Sequence, residues 1–512
     1  MSEPLSRRTL LRAAAGGAMA VAVGAGPATT AAHAATGVPA PVRELEEKIR
    51  EAMTKYAIPG VALGLYHRGT EHVRGFGVTR VDDPRPVDGD TVFRIGSTTK
   101  TFTGTAVMRL AEQRRLDLDR TVRSYLPDFR TADAAASARV TVRQLLNHTA
   151  GWLGDCFLDT GTDDQALARY VAEMSRLPQL TSPGTVFAYN NAALAVAGRL
   201  VEVAAGVTYE EAIRRLILEP LAMGGSGFSL AEIPGAVLAV PHYIGPDGAP
   251  VADPALLDMP RSIHPAGGLI ASARDQLRWA RFQLGTGRPL LSRRSLRRMQ
   301  TCPGPGGTLF VELDGMGVTW MIRPTAEGPT VIQHGGDWAG QHSGFLMVPE
   351  RDFALTVLTN SESGPALLGE LFADDWALSR FAGVHNLPAV TRARSAAGLA
   401  PYEGRYTAEQ IGLQGDTTTV ELDVVADAGQ LSVRFGGQEG LRLAFYRDDY
   451  VRAFDPSGGD TYVRANFVRD GGSVAWLRFG GRLYRRGPAG APRALRMPHA
   501  TGIPTPMTLP YA

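Results

Sequence analysis

A lysine three residues after a serine is the pair in this sequence whose types and spacing most clearly suggest chemistry. The pair is Ser97 and Lys100, in the segment Phe93-Arg-Ile-Gly-Ser-Thr-Thr-Lys. Lys100 is one of three lysines, with Lys48 and Lys55, although lysine and arginine together number 53. Arginine stays protonated in proteins, whereas a desolvated lysine can release its proton. A lysine at this position therefore favours a Ser–Lys nucleophile, in which the amine takes the serine proton.

The local sequence predicts how the two residues meet. Apolar residues recur at helical spacing over residues 98–115, so Ser97 is expected at the N-terminus of a helix. Residues three apart share a helix face, which brings Lys100 to the Ser97 hydroxyl, and the helix dipole favours negative charge there. The same residues also fit a helix cap at Ser97 and a solvated charge at Lys100. The pair alone leaves both interpretations open.

A second group, Tyr189-Asn-Asn191, precedes an apolar helical segment. A tyrosinate close to a lysine can take the serine proton, and a tyrosine can return a proton to the leaving group. Asn191 would offer an amide that orients Lys100 or the substrate carbonyl. Taken alone, Tyr189 also fits a packed aromatic residue whose hydroxyl is hydrogen-bonded in the core.

A third group, His334-Gly-Gly-Asp337, follows the strand pattern Val331–Gln333. Glycines let backbone N–H groups approach a ligand closely. The Asp337 N–H and the Ser97 N–H could together form an oxyanion hole, in which the loss of one donor typically costs about 3 kcal/mol of transition-state stabilisation. Taken alone, the group also fits a turn between strands.

In this order, Ser-x-x-Lys, Tyr-x-Asn and His-x-Gly resemble the three motifs of the serine penicillin-recognising family. The sequence is similar to the peptidase S12-like branch of that family, which contains class C β-lactamases, D-alanyl-D-alanine carboxypeptidases and D-aminopeptidases. The resemblance covers residues 40–385, and the segments that carry it are residues 93–127, residues 141–151, residues 265–269 and those around His334.

The resemblance implies a role for each motif residue. Ser97 becomes the acylated nucleophile, and Lys100 and Tyr189 share the general-base and general-acid work. The backbone N–H groups of Ser97 and Asp337 form the oxyanion hole. Three further residues support the site, with the histidine in the place of the family's third-motif basic residue: Asn191, His334 and Gly336.

The elements that must position these residues follow from the periodicity of the sequence. Strand patterns at residues 61–66 and 73–78 return within residues 317–359, with helical sequence between them. With the resemblance, they predict an α/β fold of the β-lactamase/DD-peptidase type. That fold has an antiparallel sheet flanked by helices, plus an all-helical region.

Beyond residue 400, six short strand patterns punctuated by Gly, Asp and Asn predict a small antiparallel β-barrel. Its first residues, Tyr402-Glu-Gly-Arg-Tyr406, resemble the lipocalin-like module that follows many such hydrolases. The predicted organisation is a hydrolase domain at 40–385, a linker at 386–400, the barrel at 401–486 and a disordered tail at 487–512.

The N-terminus predicts export. Residues 6–11, Ser-Arg-Arg-Thr-Leu-Leu, form a twin-arginine pattern, and an apolar stretch and Ala32-His-Ala34 follow. We therefore expect residues 1–34 to be a cleaved twin-arginine signal peptide and the mature protein to be secreted or associated with the cell envelope. The alternative is a membrane anchor, but the stretch is short and glycine-rich for a span, so none is expected after cleavage.

Charge and cysteine content bear on nucleic-acid binding, on metal binding and on a possible disulfide. The net charge is +2, and most of it lies in the first 34 residues, so the sequence gives no electrostatic reason to expect nucleic-acid binding. There is no CxxC and no Cys/His cluster, so neither a metal nor another cofactor is expected. Export permits a disulfide between Cys156 and Cys302, but the sequence does not decide whether they are bonded.

Two departures from the family pattern concern the substrate. Carboxypeptidases of this branch commonly bind a free carboxylate with hydroxyls where this sequence has Gly335 and Asp337. No convincing arginine takes the family's anchor position, for which Arg323 is a weak candidate. We hypothesise that substrates with a free C-terminal carboxylate are disfavoured, because like charges in a partly dry cleft repel. Asp337 would then meet a substrate ammonium, or it points to solvent and contributes its N–H alone.

These observations predict an exported serine hydrolase with an acyl-enzyme intermediate. Its substrate would be a small molecule or peptide, peptidoglycan fragments included, with an amide or ester bond next to a D-residue, or a β-lactam. Two alternatives are an esterase or acyl transferase on the same scaffold and a non-catalytic module that binds penicillin or senses the cell wall. The substrate, the barrel's role and the oligomeric state cannot be read from the sequence.

Overall fold

The computed structural model describes residues 39–301 and 304–487. The predicted signal peptide, Cys302 and the predicted tail beyond residue 487 lie outside the described residues. Cys156 is buried, and the possible disulfide to Cys302 falls outside the described residues.

The α-helices of the described residues are numbered in chain order. They are α1 (Ala40–Lys55), α2 (Thr99–Glu112), α3 (Ala134–Arg139), α4 (Val142–Leu146), α5 (Ala166–Glu173), α6 (Asn191–Ala205), α7 (Tyr209–Ile213), α8 (His264–Gly267), α9 (Ala273–Leu284), α10 (Arg293–Met299), α11 (Gly364–Leu368) and α12 (Ala396–Leu399). Several are extended by a turn of 3₁₀- or π-helix, and the 3₁₀ turn Gly96–Thr98 leads directly into α2.

The strands before residue 400 are also numbered in chain order. They are β1 (Gly60–His67), β2 (Thr70–Gly77), β3 (Val92–Arg94), β4 (Ser226–Gly227), β5 (His242–Ile244), β6 (Pro250–Ala252), β7 (Ile270–Ser272), β8 (Gly307–Leu309), β9 (Val311–Leu313), β10 (Gly315–Met316), β11 (Met321–Arg323), β12 (Val331–Gln333), β13 (Gly336–Trp338), β14 (Gln341–Val348) and β15 (Phe353–Thr359).

The main sheet joins strands from the two ends of the hydrolase domain, as the sequence predicts. Its antiparallel order is β10-β11-β12-β14-β15-β1-β2, and β13 pairs with β14. Successive side chains of β1 point to opposite faces of the sheet, and the strand is buried on both faces. Val61, Leu63 and Leu65 pack with α1, whereas Ala62 lies in the larger core that includes Leu277 of α9. The predicted antiparallel sheet between helices is confirmed.

The helical region carries the segments that face the sheet edge. α2 is buried along most of its length and packs against α6 and α8. α6 begins where the Asn190 side chain accepts a hydrogen bond from the Ala193 N–H, and it ends at Gly206 in the left-handed conformation. Among the described residues no single helix could cross a membrane, although the bent pair Asn191–Ala205 and Tyr209–Leu218 would qualify on length and composition alone.

The sequence also predicts one closing helix over residues 365–382, and this prediction is wrong. The structure has α11 and then two π-helical turns, Gly369–Ala373 and Leu378–Ala382. The Arg323 guanidinium donates to the carbonyls of Phe372 and Ala373, and Asn386 also donates to that of Ala373. Because distant residues occupy these carbonyls, a continuous helix cannot use them.

The C-terminal unit is a closed antiparallel barrel of eight strands, two more than predicted. They are β16 (Gly404–Ile411), β17 (Thr417–Asp427), β18 (Gln430–Phe435), β19 (Gln438–Arg447), β20 (Tyr450–Phe454), β21 (Asp460–Asp470), β22 (Ser473–Phe479) and β23 (Arg482–Arg486). The two additional strands, β16 and β23, pair with each other at Tyr406 and Arg486 and close the barrel. The predicted barrel is confirmed.

Candidate active site

The structure brings Ser97 and Lys100 together at the start of α2. Ser97 lies half-buried in the 3₁₀ turn, and Lys100 is fully buried one turn later. The Lys100 Nζ atom is 2.8 Å from the Ser97 Oγ atom and 2.7 Å from the carbonyl oxygen of Ala266. The role of the Ala266 carbonyl was not predicted, because every residue has a main-chain carbonyl and the residue type does not show which one accepts a hydrogen bond.

The environment of Lys100 favours its uncharged form. Burial lowers the pKa of Lys100 well below its usual value, and the positive charge of Arg482 lowers it further, while Asp155 and Asp337 act in the opposite direction. A neutral amine can donate one N–H to Ala266 and accept the proton of the Ser97 hydroxyl. Chemically, such an amine is able to take the proton of the Ser97 hydroxyl.

Tyr189 is held over this pair as a neutral phenol. The Lys100 Nζ atom lies 4.9 Å from the centroid of the Tyr189 ring. Burial raises the pKa of the Tyr189 phenol, and a hydrogen bond with Ser97 and the charge of Arg482 oppose this only in part. A tyrosinate is therefore disfavoured in the free protein. Of the two roles considered from the sequence, the raised pKa of the buried phenol favours proton donor over base.

His148 is a residue whose place at the site was not predicted; the sequence suggested that it closes a helix. Its ring stacks on that of Tyr189 at 4.5 Å, and its Nδ1 atom accepts the Asn190 N–H at 2.9 Å. Its φ of 57° is in the left-handed region, which costs energy for a residue with a side chain. Burial lowers the pKa of His148 well below its usual value, so the ring is neutral.

The predicted oxyanion donors lie on two backbone segments in close contact. A methyl group added at Gly336 would lie 2.5 Å from the Ser97 nitrogen, and one added at Gly96 would lie 2.6 Å from the Asp337 nitrogen. Glycine at both positions is what lets β13 approach the 3₁₀ turn so closely. The two N–H groups assigned to the oxyanion hole are thus neighbours.

His334 lies between the sheet and Tyr189 and is also neutral. Its ring centroid is 6.1 Å from that of Tyr189, and its Nδ1 atom donates to the Gly335 carbonyl at 2.6 Å. Burial lowers the pKa of His334 to about 3. The buried Nε2 atom therefore carries a lone pair, and no hydrogen-bond partner for it occurs among the described residues.

Asn191 takes part in the site through a partner that was not predicted. Its side-chain N–H donates to the Asp155 Oδ1 atom at 2.7 Å. We expected the amide to orient Lys100 or a substrate carbonyl, and the observed bond ties it to Asp155. The carboxylate of Asp155 in turn accepts from the Arg482 Nε atom at 3.0 Å.

Arg482 is the arginine of this site, and it comes from the barrel. It begins β23, and its guanidinium lies 4.7 Å from the centroid of the Tyr189 ring. Arg323, the weak anchor candidate, is buried elsewhere and donates to Asn386 and to main-chain carbonyls. The three motifs lie in the hydrolase domain, so they did not point to Arg482 in the barrel.

The side chain of Asp337 lies at the surface of the site. It is 65% exposed, and its carboxylate is 2.7 Å from the Nδ1 atom of His342. Exposure fits the alternative in which Asp337 faces solvent. The same position, over the backbone that carries the oxyanion donors, leaves the carboxylate accessible to a substrate cation.

No cluster of metal-ligating side chains occurs within residues 39–301 and 304–487.

Comparisons with known proteins agree with the fold. A family profile described as Beta-lactamase matches residues 45–376. Penicillin-binding protein 4 of Amycolatopsis lactamdurans is 32% identical over 349 residues, which are 66% of this chain and 90% of the relative. Esterase EstB of Burkholderia gladioli is 33% identical over 202 residues, which are 37% of this chain and 51% of the relative.

Two solved structures that resemble this chain cover different shares of it. SurE matches with 28% identity and a TM-score of 0.67 over 87% of this chain and 99% of SurE. A class C beta-lactamase from Rhodobacter sphaeroides shares the fold, with 22% identity and a TM-score of 0.50 over 62% of this chain and 93% of the enzyme. Since the hydrolase domain cannot account for 87% of the chain, the likeness to SurE extends into the barrel.

Proposed function

This chain belongs to the beta-lactamase family, whose members are serine hydrolases, and from that premise we propose that it acts through an acyl-enzyme on Ser97. The bonds attacked would be amides or esters next to a D-configured residue, or the amide of a β-lactam ring. The observation that carries the proposal is the uncharged, buried Lys100 amine at 2.8 Å from the Ser97 hydroxyl.

The reaction would proceed in balanced steps. Lys100 takes the Ser97 proton as Oγ bonds to the substrate carbonyl carbon, and the negative oxygen accepts from the N–H groups of Ser97 and Asp337. Tyr189 then gives its proton to the leaving group as the scissile bond breaks, and Lys100 returns a proton to Tyr189. Water or another nucleophile releases the acyl group by the reverse sequence.

Two relatives support a D-configured substrate. One is named a penicillin-binding protein, and SurE was solved with D-Leu. The relative named an esterase supports ester cleavage as the second candidate function.

We also propose that the protein is exported by the twin-arginine pathway and is secreted or associated with the cell envelope. The twin-arginine pattern in residues 1–34 supports this proposal.

We predict that a reporter β-lactam or a D-alanine 4-nitrophenyl ester acylates the mature protein. Intact mass should rise by one acyl group, and the label should map to the tryptic peptide of residues 95–100. Fragmentation must place it on Ser97, because Thr98 and Thr99 lie in the same peptide.

A persistent β-lactam adduct would indicate penicillin binding, and rapid release of the opened ring would indicate β-lactamase activity. Reaction with the ester alone would favour the D-aminoacyl hydrolase. Heat-denatured protein is the control. A label on either threonine, or none with any of these substrates, would contradict the proposal.

The charges around Ser97 suggest which substrates are preferred. Lys100, His148 and His334 are neutral, and Arg482 is paired with Asp155, so the exposed Asp337 carboxylate, in contact with His342, is the acidic group that a substrate cation would meet. This supports the hypothesis that a substrate ammonium is favoured over a free carboxylate.

We predict that Asp337→Asn lowers kcat/KM for a D-alanine anilide about fivefold, since an exposed charge pair is worth about 1 kcal/mol. The same variant should raise kcat/KM for an N-acyl-D-alanyl-D-alanine. Steady-state rates on both substrates provide the measurement, and the exposed Asp119→Asn variant is the control. Cleavage of the free D-alanyl-D-alanine end far better than the anilide by the unmodified protein would refute the preference.

A further inference from the structure

We propose that the C-terminal barrel is a working part of the active site, because its β22–β23 hairpin holds the main chain around Tyr189 in the catalytic position. Arg478 is the positioning residue, and the Gly481 carbonyl is the second contact. This inference rests on the proposed function of Tyr189, but it concerns the contact between the barrel and the segment that carries Tyr189.

Two barrel groups hydrogen-bond to the segment that carries Tyr189. The Arg478 Nε atom donates to the Phe187 carbonyl at 3.0 Å, and the Tyr189 N–H donates to the Gly481 carbonyl at 2.8 Å. Between them, the Ala188 N–H donates to the His148 carbonyl at 2.9 Å. Main-chain groups of three successive residues are thus fixed, two of them by the barrel.

The burial of Arg478 is unusual for a charged side chain. It is 3% exposed, and its described hydrogen bonds go to neutral oxygens, those of Phe187, Gly306 and Asn466. A buried guanidinium without an acidic hydrogen-bond partner is costly, and an apolar residue would fill the space at lower cost. Its Nε–H donor to the Phe187 carbonyl is the contact that an apolar residue could not make.

The turn of the hairpin is shaped for the contact. Gly480 and Gly481 connect β22 to β23 with φ values of 52° and 77°, as a two-residue hairpin turn requires. A methyl group added at Gly481 would lie 3.1 Å from the Tyr189 Cβ atom and 2.9 Å from a methyl carbon of Leu309. Glycine is therefore needed for fit as well as for conformation.

The barrel also fixes the loop that carries Asp155. The Ile411 N–H, at the end of β16, donates to the Asp155 carbonyl at 2.8 Å, and the Phe157 N–H donates to the Ile411 carbonyl at 2.8 Å. Asp155 then binds Asn191, which begins α6 immediately after the Tyr189 segment. The catalytic phenol is consequently held from two sides by one domain.

Small displacements of a catalytic group have large effects on rate, since a shift of about 1 Å can cost about 100-fold. Loss of the hairpin contacts should therefore lower the acylation rate while Ser97, Lys100 and Tyr189 all remain. Substrate affinity should change little, because neither Arg478 nor Gly481 is part of the proposed reaction.

The first test compares two glycine-to-alanine variants of the full chain. Gly481→Ala should lower kcat for the D-alanine 4-nitrophenyl ester about 10- to 100-fold with KM within threefold of the unmodified protein. Gly472→Ala is the matched control, because Gly472 lies in another barrel hairpin turn at φ 86° with nothing within 4 Å of an added methyl group. Equal losses in both variants would overturn the proposal.

The second test compares two barrel arginines that contact the hydrolase domain. Arg478→Met should lower kcat to a similar extent, and Arg478→Lys should recover part of the loss. Arg464→Met is the control, because the described hydrogen bonds of Arg464 go to the Leu387 carbonyl and to Glu312 rather than to the Tyr189 segment. Losses that are equal in both methionine variants and follow their melting temperatures would refute a positioning role.

Hydrogen–deuterium exchange separates this inference from the proposed function. Main-chain exchange at residues 187–189 should accelerate in Gly481→Ala and Arg478→Met but not in the two controls. If the unmodified protein forms no acyl-enzyme but exchange changes as expected, the proposed function fails and the contact stands. Unchanged exchange in both test variants would overturn the inference whatever the activity.

Discussion

Replacing Ser97 with alanine is expected to reduce hydrolysis of a D-alanine 4-nitrophenyl ester by about 10⁴- to 10⁶-fold, the range found when a serine nucleophile is removed. The hydroxyl is the group that Lys100 contacts at 2.8 Å, and it lies half-buried at the start of α2. Its loss removes the covalent step and leaves the backbone donors in place. Steady-state release of nitrophenol measures the effect.

The fold should survive this change, because the side chain is small and its described contacts are with Lys100 and Tyr189. We expect a melting temperature within a few degrees of that of the unmodified protein. Ser124→Ala is the control, since Ser124 is an exposed serine that contacts Thr121. An Ser97→Ala variant that keeps more than a few per cent of the activity would place the nucleophile elsewhere.

Elements whose pattern is local were predictable from the sequence. The continuous apolar run of β1 and the apolar periodicity of α2 arise from side chains that pack directly against neighbouring elements. β23 was not predicted, because its sequence, Arg-Leu-Tyr-Arg-Arg, is mostly basic. The closing helix was predicted wrongly because Arg323, far away in the chain, takes its carbonyls. Local pattern carries no information about such partners.

The same distinction holds within the site. Ser97 and Lys100 are three residues apart on one helical turn, so their contact follows from spacing. Tyr189 and His334 were found through motifs that resemble a family. The ion pair of Asp155 and Arg482 joins residues 327 positions apart and forms only when the barrel packs on the hydrolase domain. Neither residue stands in a recognisable motif, so no sequence pattern indicates that they meet.

Replacing Lys100 with arginine is expected to lower the acylation rate by about 10³-fold, within the range attributed to a positioned general base. Arginine keeps hydrogen-bond donors and positive charge but does not give up its proton, so it cannot accept one from Ser97. In the unmodified protein kcat/KM should rise with pH as Lys100 loses its proton and then level off, because its pKa is lowered by burial. The variant should lack this plateau, and its residual rate should increase tenfold per pH unit with hydroxide.

Lys100 is fully buried, so the larger guanidinium could disturb packing, and a second variant is needed. Lys100→Met fills the space without charge and should lose activity to the same extent with a preserved melting temperature. Lys48→Arg is the matched control, because Lys48 is a partly exposed lysine paired with Glu370. If Lys100→Arg keeps a tenth of the activity and the same pH profile, then Lys100 is not the base. In that case the rarity of lysine in this chain would have to be explained without proton transfer.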